Sequence, residues 1–167
     1  MNTLRAGIGV VVLACFGAVA YTVVPAQSDP PPPPIAVEVL TPRAAFTDEV
    51  AMQIRNKVGG TGTEVRNLHP AGRIVTARLT IQPGAQFPWH THPGPVMVTV
   101  AAGELTYVEG DDCSQRLYSA GSAFIDIGDH VHTAYNSGTT VTTTYVTWLA
   151  APAEGLLTVP APPPACA

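Results

Sequence analysis

The sequence predicts an all-β domain of many short strands, folded as a sandwich or a small barrel. Three observations carry this. Turn chemistry recurs at short, regular intervals between Pro83-Gly84 and Asn136-Ser137-Gly138, with no room between for a packed helix. Between the turns the residues are β-branched or alternate apolar with polar, the period-2 pattern of half-buried strands. Finally, 17 Pro and 15 Gly in 167 residues are too many for long helices.

The elements follow in order. Val50-Ala51-Met52-Gln53-Ile54 alternates as a strand with one buried face, and residues 73–81 form a β-branched run that stops at Pro83-Gly84. Further strands are expected at 96–101, 105–108, 116–118, 123–127, 131–135 and 140–149. They are separated by Ala102-Gly103, Glu109-Gly110-Asp111-Asp112, Ala120-Gly121, Gly128-Asp129 and Asn136-Ser137-Gly138. The folded domain is thus expected over residues 44–150. With 46% apolar and 12% charged residues the chain has the material for a core. A net charge of −4 without any basic run excludes the electrostatic footprint of a nucleic-acid binder.

Both ends have a different character. Residues 1–26 carry one positive charge at Arg5 and then an uncharged, largely apolar stretch ending at Val24-Pro25-Ala26, with Ala18-Val19-Ala20 as an earlier cleavage candidate. This reads as an export signal. An uncleaved anchor is the alternative, since about 19 apolar residues just span a bilayer. Lipidation at Cys15, after Val12-Leu13-Ala14, fits less well. Residues 27–43, with five prolines at 30–34, read as a stiff extended linker, and residues 151–167 as a Pro-rich, extended C-terminal tail. The expected location is secreted or cell-envelope, outside the cytoplasm, with the membrane engaged only through the N-terminal segment. Once Cys15 is removed, Cys113 and Cys166 remain as an even pair suited to a disulfide, which closes a loop of about 53 residues and stabilises by roughly 3–4 kcal/mol.

Four of the five histidines fall in two pairs, His90-Thr91-His92 and His130-Val131-His132. On a strand, residues two apart project to one face, so two such pairs can converge on a single ion. Neutral imidazole suits Zn, Fe, Ni, Cu and Mn, so spacing alone does not select the metal. His69, before Pro70, reads as a surface residue.

Here the sequence resembles a family. Gly84-x5-His90-x-His92-x3-Val96-x6-Gly103 has the spacing of the first cupin motif, and Gly121-x5-Ile127-x-Asp129-x2-His132-x3-Asn136 that of the second. The chain resembles a small single-domain cupin, similar to secreted cupins of actinobacteria, over roughly residues 72–150. The resemblance implies a double-stranded antiparallel barrel of the jelly-roll kind, with a divalent ion (Fe, Mn, Ni or Zn) in its mouth on His90, His92 and His132. It also allows a homodimer through sheet edges, which nothing in the spacing shows. Three departures stand out. The first-motif Glu, normally a ligand, is Val96; the second-motif Pro is Ile127; and the Gly after it is Asp129. Without the carboxylate the ion keeps its full local charge of +2, which favours an anionic ligand or hydroxide in the open positions.

His130 has two readings. In an unbroken strand it shares the inward face with His132 and serves as a fourth ligand or a base; in a turn at Gly128-Asp129 it is exposed, and the turn is favoured. Asp126 reads as a solvent-facing strand residue, with a supporting role to a histidine as the alternative. Phe87, Trp89, Tyr107, Tyr135, Tyr145 and Trp148 read as core, Met97 as core rather than a soft ligand, and Glu104 as solvated. Two functions remain open. One is an exported metal-dependent enzyme, a dioxygenase or isomerase acting on a small molecule; the other is a non-catalytic, small-ligand-binding module of the envelope, with metal or without.

Overall fold

The computed structural model describes residues 34–57 and 62–167, and every regular element among them is a strand. Two five-stranded antiparallel sheets form a sandwich. The first has the spatial order β1 (Ile35–Ala45), β4 (Arg73–Ile81), β11 (Thr142–Trp148), β6 (Val96–Ala102), β9 (Ala123–Asp126). The second runs β12 (Val159–Pro160), β5 (His90–Thr91), β10 (His132–Tyr135), β7 (Glu104–Glu109), β8 (Gln115–Ser119). A separate hairpin pairs β2 (Met52–Lys57) with β3 (Thr63–Leu68). The expected signal or anchor at residues 1–26, with Cys15, lies outside the described residues. Among the described residues no helix is long and apolar enough to cross a membrane.

Alternation does the folding work. Along β4 Val75, Ala77, Leu79 and Ile81 are buried, along β6 Val96, Val98 and Val100, and the residues between them point outward. Leu105 on β7 and Ala134 on β10 meet this set from the opposite sheet and close a single core. Each fully buried Val, Leu or Ile there contributes about 1.5–3 kcal/mol. Met97, expected in the core, sits on the outward phase of β6 and is exposed.

Two terminal segments differ from the sequence expectation. Residues 35–43, assigned to the linker, belong to β1, which pairs with β4 from Ile35↔Ile81 to Ala45↔Arg73. An edge strand needs partners on only one side. Val37 and Val39 remain exposed here, so the segment carries little of the burial signature that marks an inner strand. The residues after 150 are extended, as expected, but they are no loose tail. The Ala151 N–H donates to Arg73 O at 2.8 Å, and the Arg43 guanidinium donates to the carbonyls of Pro152 and Gly155. Val159 and Pro160 then pair with Thr91 and His90, and Ala161 N–H donates to Trp89 O at 3.0 Å. The expected disulfide between Cys113 and Cys166 ties the end of this strap to the loop after β7.

Two turns, one of them at the start of the segment that leads to His132, are fixed by glycine. Gly128 has φ +81°, and a Cβ there would lie 2.7 Å from the Gly94 backbone; Gly103 has φ +72°, and its Cβ would meet Thr142 at 2.6 Å. Asn136 closes the loop between β10 and β11. Its buried Nδ2 donates to Ile81 O at 3.0 Å and Thr140 O at 2.8 Å, while its Oδ1 accepts from Gly138 N–H at 2.9 Å. Asn136→Ala strands these groups and should cost about 2–4 kcal/mol in urea unfolding. Replacing Cys113 and Cys166 together with Ser should lower stability by about 2–4 kcal/mol in the same assay.

Candidate metal centre

Strand pairing brings the histidines together. His90 and His92 are two residues apart at the β5 edge and so share a face, and His132 on β10 is the direct antiparallel partner of His90. Their ring centroids are 4.3 Å apart for His90–His132, 4.9 Å for His90–His92 and 5.0 Å for His92–His132. All three are buried, and one ligand nitrogen from each lies within 4.8 Å of the others. The convergence expected of His90, His92 and His132 is therefore present.

Their orientation is fixed from behind. Nδ1 of His90 lies 2.7 Å from Pro88 O, Nδ1 of His92 lies 2.7 Å from Leu157 O, and Nδ1 of His132 lies 3.1 Å from His130 O. A carbonyl oxygen only accepts, so each Nδ1 carries the hydrogen and each Nε2 presents a lone pair. The indole Nε1 of Trp148, 3.3 Å from His92 Nδ1, is an edge contact, because the shorter bond to Leu157 already uses that nitrogen as donor. Burial lowers the pKa of all three rings, that of His92 and of His132 to about 4, so they are neutral near pH 7. Three neutral, pre-oriented Nε2 donors fit a divalent first-row ion.

Asp126 differs from its expected place. It is buried with 4% exposure, and its Oδ2 lies 3.2 Å from His132 Nε2 and 3.8 Å from His92 Nε2. Burial raises its pKa, opposed by the Gly128 N–H it accepts and by the histidines. A sequence signal existed. Phe124 on the same strand faces the cavity, so Asp126, two residues on, faces it too.

His130 is absent from the cluster. It sits in the bend after Gly128, away from the cavity lining, with Nε2 3.3 Å from Glu64 and Nδ1 3.7 Å from Asp111. The positive φ of Gly128 and Asp129 turns the chain there, so the strand begins only at His132 and the phase shared by His130 and His132 is lost. The structure thus places His130 outside the three-histidine cluster. His69 is exposed, 3.8 Å from Glu49, far from the other rings in the fold's hairpin region.

The rings open onto a cavity of about 90 Å³, lined largely by apolar side chains from both sheets. Three of the aromatics assigned to the core pack in or against it and also wall the cavity. Tyr107 stacks on His132 at 4.9 Å, Phe87 lies 6.1 Å from His90, and Trp148 meets His92 edge-on at 6.2 Å. Trp89, Tyr135 and Tyr145 do not line it. Thr158 of the C-terminal strap contributes to the lining, so the strap both orients His92 and walls the cavity.

No curated protein matches the chain. Among solved structures, an oxalate oxidase is 27% identical over 45% of this chain and 41% of its own, with a TM-score of 0.42. The chain thus spans about two fifths of that protein's length. An uncharacterized conserved protein with a double-stranded β-helix domain from Klebsiella pneumoniae is 27% identical over 48% of this chain and 70% of its own, with a TM-score of 0.45. The polyketide cyclase RemF from Streptomyces resistomycificus is 15% identical over 52% and 59%, with a TM-score of 0.45. Residues 77–148 match the family Cupin_2, described as a cupin domain. That stretch, a little over two fifths of the chain, holds every strand from β5 to β11 and the three converging histidines, and it is similar to a cupin domain.

Proposed function

We propose that this protein is an exported, metal-dependent cupin that holds one divalent ion on the Nε2 atoms of His90, His92 and His132. The observation that carries this is the set of three Nδ1–carbonyl contacts, which leaves three bare nitrogen donors aimed at one point. When bound, the ion supplies Lewis acidity and, as iron or manganese, redox chemistry suited to a dioxygenase or isomerase. The chain's own part is to orient the rings, exclude water with an apolar wall, and admit a small molecule to the open positions. The Cys113–Cys166 disulfide supports a location outside the cytoplasm.

The cavity restricts what can enter. At about 10–15 Å³ per water-sized group, its roughly 90 Å³ takes about six to nine heavy atoms. No Lys or Arg lines it, so the ion would be the one fixed cation there for an anionic substrate. A second reading, a holding module without catalysis, is favoured by one observation. The titratable groups in the lining are the three histidines, Tyr107 and Asp126, so a general base free of the ion-binding cluster is missing from the lining.

Elemental analysis of the purified full chain tests the metal. About one equivalent of Fe, Mn, Ni or Zn is expected, and His92→Ala should lose it; no stoichiometric uptake by the wild type would sink the reading. Excess ion should raise the melting temperature of the wild type, with about 2.7 kcal/mol gained at 100 times Kd. The metal-free protein should also respond to pH. His92 and His132 bind protons only near pH 4 when folded but near 6.5 when unfolded, so stability is full above about 6.5 and falls as pH drops toward 4. The raised pKa of Asp126 acts in the opposite sense, but one carboxyl opposes three imidazoles. The urea midpoint of the metal-free chain is expected to be lower at pH 5 than at pH 7.

A further inference from the structure

Position 96 faces the cavity from β6, where the motif pattern has a carboxylate and this chain has Val96. Its direct antiparallel partner on β9 is Asp126. Directly paired residues of an antiparallel ladder point to the same face with Cβ atoms about 4.5–5.5 Å apart. A carboxylate therefore enters the same side of the cavity from the neighbouring strand.

The two oxygens of Asp126 have different surroundings. Oδ1 accepts the Gly128 N–H at 2.8 Å, which fixes the side chain. Oδ2 is buried, receives no hydrogen bond, and points between His132 Nε2 and His92 Nε2. Those nitrogens have no hydrogen to give it, because Nδ1 holds the hydrogen in both rings. An acceptor oxygen buried against two lone pairs is costly by itself. A cation placed among them satisfies all of these atoms together.

We infer that Asp126 is the fourth protein ligand of the ion, its carboxylate standing in across the ladder for the one Val96 lacks. The inference rests on the three-histidine site proposed above and adds its charge. With Asp126 bound, the ion and its ligands carry +1 rather than +2. The pull on an anionic substrate expected from an all-imidazole site is thereby reduced. Together with the apolar, cation-free lining, this selects a neutral or singly charged molecule of about six to nine heavy atoms with an oxygen donor for the ion.

Co²⁺ binding to the full chain, followed by chelator competition and by the visible absorption of the bound ion, tests this. Asp126→Asn keeps the shape and the acceptor for Gly128 N–H but removes the anion. Its Co²⁺ affinity is expected to fall at least about tenfold, with a changed absorption spectrum. The metal-free melting temperature of D126N should equal or exceed that of the wild type, which separates ligand loss from misfolding. Adding Val96→Glu to D126N is expected to tighten Co²⁺ binding again. Equal affinity and an unchanged spectrum in D126N would overturn the inference while leaving the histidine site standing. Failure of the wild type to bind Co²⁺, or equal binding by His92→Ala, would instead overturn the histidine site itself.

Discussion

The orientation of the site depends on three backbone carbonyls. Pro88 O, His130 O and Leu157 O each take the Nδ1 hydrogen of one ring and so decide which nitrogen faces the cavity. Two of these contacts are local, since the carbonyl lies two residues before its histidine. The third comes from the strap, 65 residues later in the chain than His92. A buried imidazole without such a partner would be free to adopt either tautomer. With all three fixed, the cluster is a directed set of donors and not merely a group of polar residues buried between two sheets.

Much of this was legible in the sequence, for reasons that can be named. The His-x-His spacing and the two motif spacings identify His90, His92 and His132, because strand period and motif position agree there. The inner strands were visible because burial on one face writes alternation into residues 73–81 and 96–101. The disulfide followed from an even cysteine pair. Asp126 reads as solvated because a charged residue near a turn usually is; its two-residue spacing from Phe124 is the weaker, contrary signal, and the pairing of β6 with β9 sets it opposite Val96. β1, β3 and β12 escaped notice for a related reason. Edge and hairpin strands are held by backbone bonds, and Val65 on β3 and Val159 on β12 remain exposed. Tyr107 and Trp148 were assigned correctly to the interior but not to the cavity wall, a distinction that needs both sheets in place.

The departures from the usual motif pattern are also structurally connected. Asp129, in place of a glycine, keeps the left-handed backbone at φ 60° and pairs with Arg66 of the hairpin at 3.2 Å. The same arginine donates to Gly128 O at 3.1 Å. The hairpin thus braces the turn that directs His130 outward and lets His132 begin its strand inside. Exposed ion pairs of this kind add little stability. Their effect here is positional, on the residues flanking the cluster.

The strap has a consequence for the order of events. Leu157 supplies one of the three orienting carbonyls, and Thr158 supplies part of the cavity wall. Both follow the last strand of the matched domain, so the strands alone, once synthesised, do not complete the centre. A chain still emerging from a ribosome or a translocation channel would hold His92 without its anchor. On the metal-binding reading proposed above, the surroundings at the moment when Leu157 docks would bear on which ion the three rings take up.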